Sequence, residues 1–173
     1  MENIKTSTLA ILVNNKSGVL MRVVSLFSRR GYNIDALSVG ETENKAISRI
    51  TVVVTCDRGA LEQIKRQVEK LVDVISVYEM TSDGSLQREL VLVKINADSS
   101  TRSHVVEASE IFKAKILDVT PQTITLQLTG SLEKISSFLL LMEPFGIAEL
   151  ARTGITALER GSRALSEIEN EKN

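Results

Sequence analysis

Apolar positions along the chain alternate between two rhythms, one strand-like and one helical. Over Thr6–Asn14, Leu9, Ile11 and Val13 fall on one face and Ala10 and Leu12 on the other, which predicts a strand apolar on both sides and therefore interior to a sheet. Asn15-Lys16-Ser17-Gly18 interrupts it and opens a helix over Val19–Arg30, whose apolar positions Val19, Leu20, Val23, Leu26 and Phe27 recur at helical spacing. Gly31, after the basic pair Arg29-Arg30, ends that helix. Ile34–Thr42 and Ile47–Cys56 read as strands joined by the polar turn Glu43-Asn44-Lys45-Ala46. Gly59–Val72 is predicted helical from Leu61, Ile64, Val68 and Leu71, and Val74–Met80 is a further strand. The order β-α-β-β-α-β is that of the split βαβ, or ferredoxin-like, unit.

A polar stretch, Thr81-Ser82-Asp83-Gly84-Ser85, follows, and the order then recurs. Arg88–Ala97 is a predicted strand, and Thr101–Phe112 a helix with Val105, Val106, Ala108 and Phe112 inward. Lys115–Val119 and Thr123–Leu128 flank Pro121-Gln122 as strands; Ser131–Met142 is a helix stopped by Pro144, and Ile147–Arg152 closes the unit. No residue-level repeat accompanies the recurrence, so the duplication is architectural. The expected fold is α+β, two ferredoxin-like (βαββαβ) domains in tandem. They span 1–80 and 87–160, with a linker at 81–86 and a polar, flexible tail at 161–173.

Composition mainly removes function classes. Among 173 residues, 21 Lys and Arg face 22 Asp and Glu, a net charge of -1 that gives no electrostatic reason to bind nucleic acid or an anionic membrane. The longest apolar run, Phe138–Met142, falls far short of the ~20 residues of a membrane span. No basic-then-apolar leader is visible, and the expectation is a cytoplasmic chain. A single Cys56 closes no intramolecular disulfide, and with a single His104 it assembles no His/Cys zinc cluster. The sequence lacks Gly-x-Gly-x-x-Gly, a Walker loop, His-Glu-x-x-His and Gly-x-Ser-x-Gly. Cys56 continues the apolar strand face of Ile50, Val52 and Val54, and His104 reads as a solvated helix residue. An RNA-binding sheet of this shape needs aromatics on its third strand, and Ser48–Thr55 has none.

Two features remain. Asn15 suits a helix N-cap, with free N–H groups and a partial positive charge at the helix start, and Gly18 lets a ligand approach the backbone closely. Such a turn suits the carboxylate of a small metabolite, although the same residues also make an ordinary helix start. The second feature is Ile34–Thr42, expected at a sheet edge with Asp35 and Glu41 as its only charges. Pairing of that edge with a second copy would extend the sheet across a two-fold dimer and bring Asn33 toward the partner's helix start. The alternative is an edge covered by the second half of the same chain.

The string from Asn15 to Gly40, containing Leu26-Phe27-Ser28-Arg29-Arg30-Gly31-Tyr32-Asn33-Ile34, resembles the regulatory small subunit of acetolactate synthase (acetohydroxyacid synthase). Its opening, Asn15-Lys16-Ser17-Gly18-Val19-Leu20, resembles the ligand-binding turn of ACT domains. Lys70-Leu71-Val72-Asp73-Val74, Arg88-Glu89-Leu90, Glu110-Ile111-Phe112, Asp118-Val119-Thr120-Pro121 and Ala151-Arg152-Thr153-Gly154-Ile155 extend the likeness over roughly residues 4 to 161. The resemblance implies that the first domain is an ACT domain, that the chain is a homodimer, and that it is not itself an enzyme. It implies a large catalytic subunit as partner, which holds thiamine diphosphate, magnesium and usually flavin, with no cofactor in this chain. It further implies activation of that subunit and feedback inhibition by valine in branched-chain amino acid biosynthesis. The family's effector positions fall on Asn15, Gly18, Val19 and Leu20 of one chain and on Asn33 and Ile34 of the other; no catalytic or metal residue is implied. The alternative function is a stand-alone amino-acid-binding ACT regulator of another enzyme.

Overall fold

The computed structural model describes residues 4–162, 164 and 165. The chain divides into two units, the first running to Leu86 and resuming at Ile155, the second from Gln87 to Gly154.

In the first unit the elements are β1 (Lys5–Asn14), α1 (Val19–Arg29), β2 (Ala36–Glu41), β3 (Ile47–Cys56), α2 (Arg58–Val68) and β4 (Val74–Met80). The sheet runs β2-β3-β1-β4 and its neighbours are antiparallel, so β1 is interior, as its apolar pattern predicts, and β2 lies at an edge, as the ferredoxin-like order predicts. Leu9, Ile11 and Val13 of β1 share one core with Val19, Val23 and Phe27 of α1 and Leu61, Ile64 and Val68 of α2. The opposite face carries Ala10 and Leu12, which pack with Val53, Met80, Ile155, Ala157 and Leu165. A strand apolar on both faces thus needs two covers, one helical and one supplied by the segment that begins at Ile155. Asp57, at the start of α2, accepts from the Ala60 N–H at 2.9 Å, a cap of the kind that contributes about 1 kcal/mol. The helix ends at Val68 rather than Val72: Leu71 turns back to donate to the Val68 carbonyl, and Val72 is left 96% exposed.

The second unit repeats the order with β5 (Ser85–Asn96), whose first residues precede the unit boundary, α3 (Arg102–Phe112), β6 (Lys115–Val119), β7 (Thr123–Gly130), α4 (Leu132–Met142) and β8 (Ile147–Arg152). Its strands run β6-β7-β5-β8, the same arrangement of first, second, third and fourth strands. β5 starts three residues ahead of the expected Arg88, which shortens the linker. Val91, Val93 and Ile95 face Val105, Ile135, Phe138 and Met142, and the rings of Phe112 and Phe138 meet at 5.3 Å in a tilted pair. α3 is anchored by Asp98, whose Oδ1 accepts from the backbone and hydroxyl of both Ser100 and Thr101. These hydrogen bonds, led by the Ser100 hydroxyl, hold the Asp98 carboxyl down at about 2.

By packing, the second unit closes at Gly154, whereas the sequence reading carries the second domain to residue 160. Thr153 fastens the end of β8 to β5, its N–H donating to the Leu90 carbonyl and its hydroxyl accepting from the Leu90 N–H. Gly154, at φ +76°, then turns the chain away, a conformation that glycine adopts without strain. Ile155 and a short strand not anticipated from the sequence, β9 (Thr156–Glu159), belong to the first unit. There Arg160 donates to the Gly84 carbonyl at 2.9 Å. Of the tail expected over 161–173, residues 163 and 166–173 lie outside the described residues.

Glu89 is 3% exposed and is held by Arg152 through two parallel bonds, Nε to Oε1 at 2.9 Å and Nη2 to Oε2 at 2.6 Å. Removing only the cation strands a buried carboxylate. Arg152→Met should therefore lower the stability of this unit by about 3 kcal/mol in urea unfolding, the low end for a broken buried pair because 40% of the Arg152 side chain is exposed. The double change Arg152→Met with Glu89→Leu should recover most of that loss, and no recovery would mean the pair acts through something other than desolvation. Asp98 gives a pH dependence with a definite sign. A depressed carboxyl pKa stabilises the fold while ionised, so its contribution is whole above the ordinary aspartate value of about 3.9. It is lost as pH falls toward about 2. Carboxyl carbon shifts followed by NMR should place its midpoint near that value and return it to the ordinary range in a Ser100→Ala, Thr101→Val variant.

Candidate functional site

The turn that ends β1 is fixed by the backbone before any ligand is considered. Asn14 donates to the Asp73 carbonyl at 2.8 Å and Asn15 to the Ala46 carbonyl at 2.7 Å, so the turn is tied to both neighbouring connections of the sheet. Asn15 was expected to cap α1, and it does not. Its Nδ2 donates to Glu41 Oε1 at 3.1 Å and to the Lys45 carbonyl at 2.9 Å, which braces the β2–β3 hairpin. The N-cap is Gly18, in the left-handed region at φ +81°, with no side-chain cap. The N–H groups of Ser17, Gly18, Leu20 and Met21 meet no protein acceptor among the described residues. Val19 differs: its N–H is used by the Lys16 carbonyl at 3.3 Å, and its side chain is buried in the core. Of the three backbone donors expected for a carboxylate, Gly18 and Leu20 are free and Val19 is not.

The side chains around the turn add polarity and one apolar wall. Residues 15–18 are exposed and Leu20 is 36% exposed, so a ligand can reach both donors and that side chain. Asp73, largely buried, pairs with Arg22 and lies 3.7 Å from Lys16 Nζ, which places two cations beside the helix start. This cluster escaped sequence reasoning, because Asp73 is far along the chain and reaches the turn only through β4. Asn33 and Ile34 lie past the opposite end of α1. Asn33 is exposed and donates to Asp35 Oδ1 at 2.7 Å, and Ile34 is half-buried against the helical core.

A helix of 11 residues is about 16 Å long. Within one chain, therefore, the structure does not bring Asn33 to Gly18. The two halves of the expected site meet only if a second copy supplies one of them. β2 has the exposure such pairing needs: it has a strand partner on one side only, and Val39 is 51% exposed. The Ser38 hydroxyl donates to the Ile155 carbonyl at 2.8 Å, so the segment after Gly154 touches this strand through a side chain.

The Cys56 thiol is pushed above its ordinary value, first by burial and then by Asp57, Asp35 and Glu79, the opposite of nucleophile activation. His104 is exposed, as read from the sequence. Among the described residues no three His, Cys, Asp or Glu side chains gather as a metal site, and no helix is long and apolar enough to cross a membrane.

Comparison with known proteins agrees with the two-unit architecture. Residues 9–76 match the family described as the AHAS small subunit-like ACT domain, and residues 88–161 match that described as the small subunit of acetolactate synthase. The acetolactate synthase small subunit of Mycolicibacterium smegmatis is 47% identical over 160 residues, covering 92% of this chain and 94% of that protein. A probable acetolactate synthase small subunit of Methanothermobacter thermautotrophicus is 47% identical over 161 residues, covering 92% and 96%. The crystal structure of the acetolactate synthase small subunit from Thermotoga maritima is similar with a TM-score of 0.84 at 35% identity, covering 92% of this chain and all of that one. Both domains and nearly the whole length are accounted for, and the chain belongs to the acetolactate synthase small-subunit family.

Proposed function

We propose that this chain is a non-catalytic regulatory subunit that binds a large acetolactate synthase catalytic subunit, raises its activity and carries feedback inhibition by valine. The thiamine diphosphate, magnesium and flavin of the reaction belong, in this reading, to the large subunit. Family membership supports the regulatory role. The observation that carries the effector half is the uncapped start of α1, where Gly18 and Leu20 offer free N–H groups beside Lys16 and Arg22. A carboxylate there meets two backbone donors, the positive end of the helix and nearby cations. Leu20 supplies the apolar wall for an aliphatic side chain, and Asn33 with Ile34 from a second copy completes the pocket. The site then lies across a dimer of ACT domains, so occupancy reports on how two chains are apposed. Pockets distinguish one methylene by only about 1–3 kcal/mol, so leucine and isoleucine compete with valine to a degree the pocket walls set.

Gly18→Asp should abolish valine inhibition while leaving activation of the large subunit intact, because it places a carboxylate where the effector's carboxylate binds. Gly18→Ala carries the same backbone strain at φ +81° without the charge and separates the two effects. Assay of acetolactate formation with the large subunit reads both, and unchanged valine inhibition in Gly18→Asp removes the site from this turn. Direct binding gives the second check. Valine at 100 times its dissociation constant should stabilise the dimer against heat by about 2.7 kcal/mol, with glycine giving no comparable shift. Acetolactate made by this chain alone, or failure to activate any large subunit, would overturn the regulatory reading.

A further inference from the structure

The face of the first sheet turned away from α1 and α2 holds a charged side chain in an apolar setting. Arg49 of β3 stands opposite Leu12 of β1 and Gly40 of β2, in the same row as Thr51 and Val53. Its Nε and Nη2 are buried and meet no hydrogen-bond partner among the described residues. Arg49 lines a cavity of about 250 Å³ together with Leu12, Ile47, Leu158 and Leu165, and Glu43 and Glu159 are also among its lining residues. Burial pushes the guanidinium's pKa down, and Glu43 opposes that electrostatically without ion-pair contact.

The Nε–Nη2 edge of an arginine is a pair of parallel donors that matches one carboxylate. A phosphate dianion is disfavoured by the two carboxylates on the same lining. An ammonium beside the bound carboxylate would face Glu43, and four aliphatic walls suit an aliphatic side chain. The volume, a little below that of pockets for drug-sized ligands, suits a molecule of a few carbons. We propose that the cavity between the first sheet and the segment following Gly154 is a second site for a small aliphatic α-amino acid, held through its carboxylate by Arg49. This site is separate from the α1 turn. Leu158 and Leu165 form part of its wall, so occupancy also ties the C-terminal segment to the sheet.

The test uses L-valine as probe on the full-length Gly18→Asp chain, in which the α1 turn is blocked. The Arg49 Nε–H resonance, assigned by its loss in Arg49→Lys, should shift saturably with valine. Isobutylamine, which lacks the carboxylate, should bind roughly 10- to 100-fold more weakly, the worth of a charge-assisted hydrogen-bond pair. Equilibrium dialysis provides a readout independent of any Arg49 variant: one equivalent of valine per chain should remain bound in Gly18→Asp. A flat resonance and no bound valine across a millimolar titration would overturn the second site even if valine inhibition through Gly18 holds. An equal response to isobutylamine would overturn the role given to Arg49. A resonance that moves to its bonded position without ligand, and reverts when residues 166–173 are deleted, would assign the edge to the chain's own acidic tail and overturn the proposal as well.

Discussion

The central strand β1 must be covered on both faces, and the rest of the first unit follows from that requirement. Six consecutive residues from Thr8 to Val13 are buried, which no two-layer unit can achieve with helices on one side alone. One face is met locally, by α1 and α2, whose apolar stripes are within easy reach along the chain. The other is met by Ile155, Ala157 and Leu165, which arrive only after an entire second unit has been built. Burying Ile155 and Leu165 contributes on the order of 1.5–3 kcal/mol each, so the returning segment is part of the first unit's core rather than an appendage. Its departure point is set by Thr153 and Gly154, which fasten β8 and then redirect the backbone.

The commitment of Asn15 to the neighbouring hairpin is what gives the α1 turn its chemistry. A helix start is ordinarily quenched by a side-chain cap. Here the residue able to cap, Asn15, is instead committed to Glu41 and Lys45 on the neighbouring hairpin. The backbone at Gly18 then adopts a left-handed conformation that leaves its own N–H and that of Leu20 facing outward. Polar groups left free at an exposed site cost little while water solvates them, and they become strong donors once a ligand displaces that water.

How much of this was legible in the sequence depends on the range of the interaction. The helices and strands of both βαββαβ units and the interior place of β1 follow from apolar spacing, because these are periodicities of neighbouring residues, and the edge place of β2 follows from the ferredoxin-like order. The errors are contacts across long stretches of chain. Asn15 offered a plausible local role as a cap, while its partners lie 26 and 30 residues away. β9 is four residues long, and nothing within its own Thr-Ala-Leu-Glu indicates that Gly84 would accept from the residue after it. The setting of Arg49 likewise depends on Leu158 and Leu165, far along the chain. The ACT resemblance pointed to the α1 turn, and the division of labour among its N–H groups required the Lys16 carbonyl to be seen turning back onto Val19.

Regulation by a subunit without chemistry of its own requires that a ligand prefer one arrangement of the protein over another, since a ligand indifferent to two states shifts neither. The bracing contacts indicate where such a preference can be expressed. Asn15 joins the α1 turn to Glu41, the last residue of the edge strand β2, and to the hairpin that β2 shares with β3. A displacement of the turn is therefore felt at the edge strand β2. Coupling of about 1–3 kcal/mol changes the affinity of a linked site 5- to 150-fold, and two hydrogen bonds of ordinary strength are of that size. The energy available in this one asparagine is thus commensurate with the regulation ascribed to the subunit, without any rearrangement of the core.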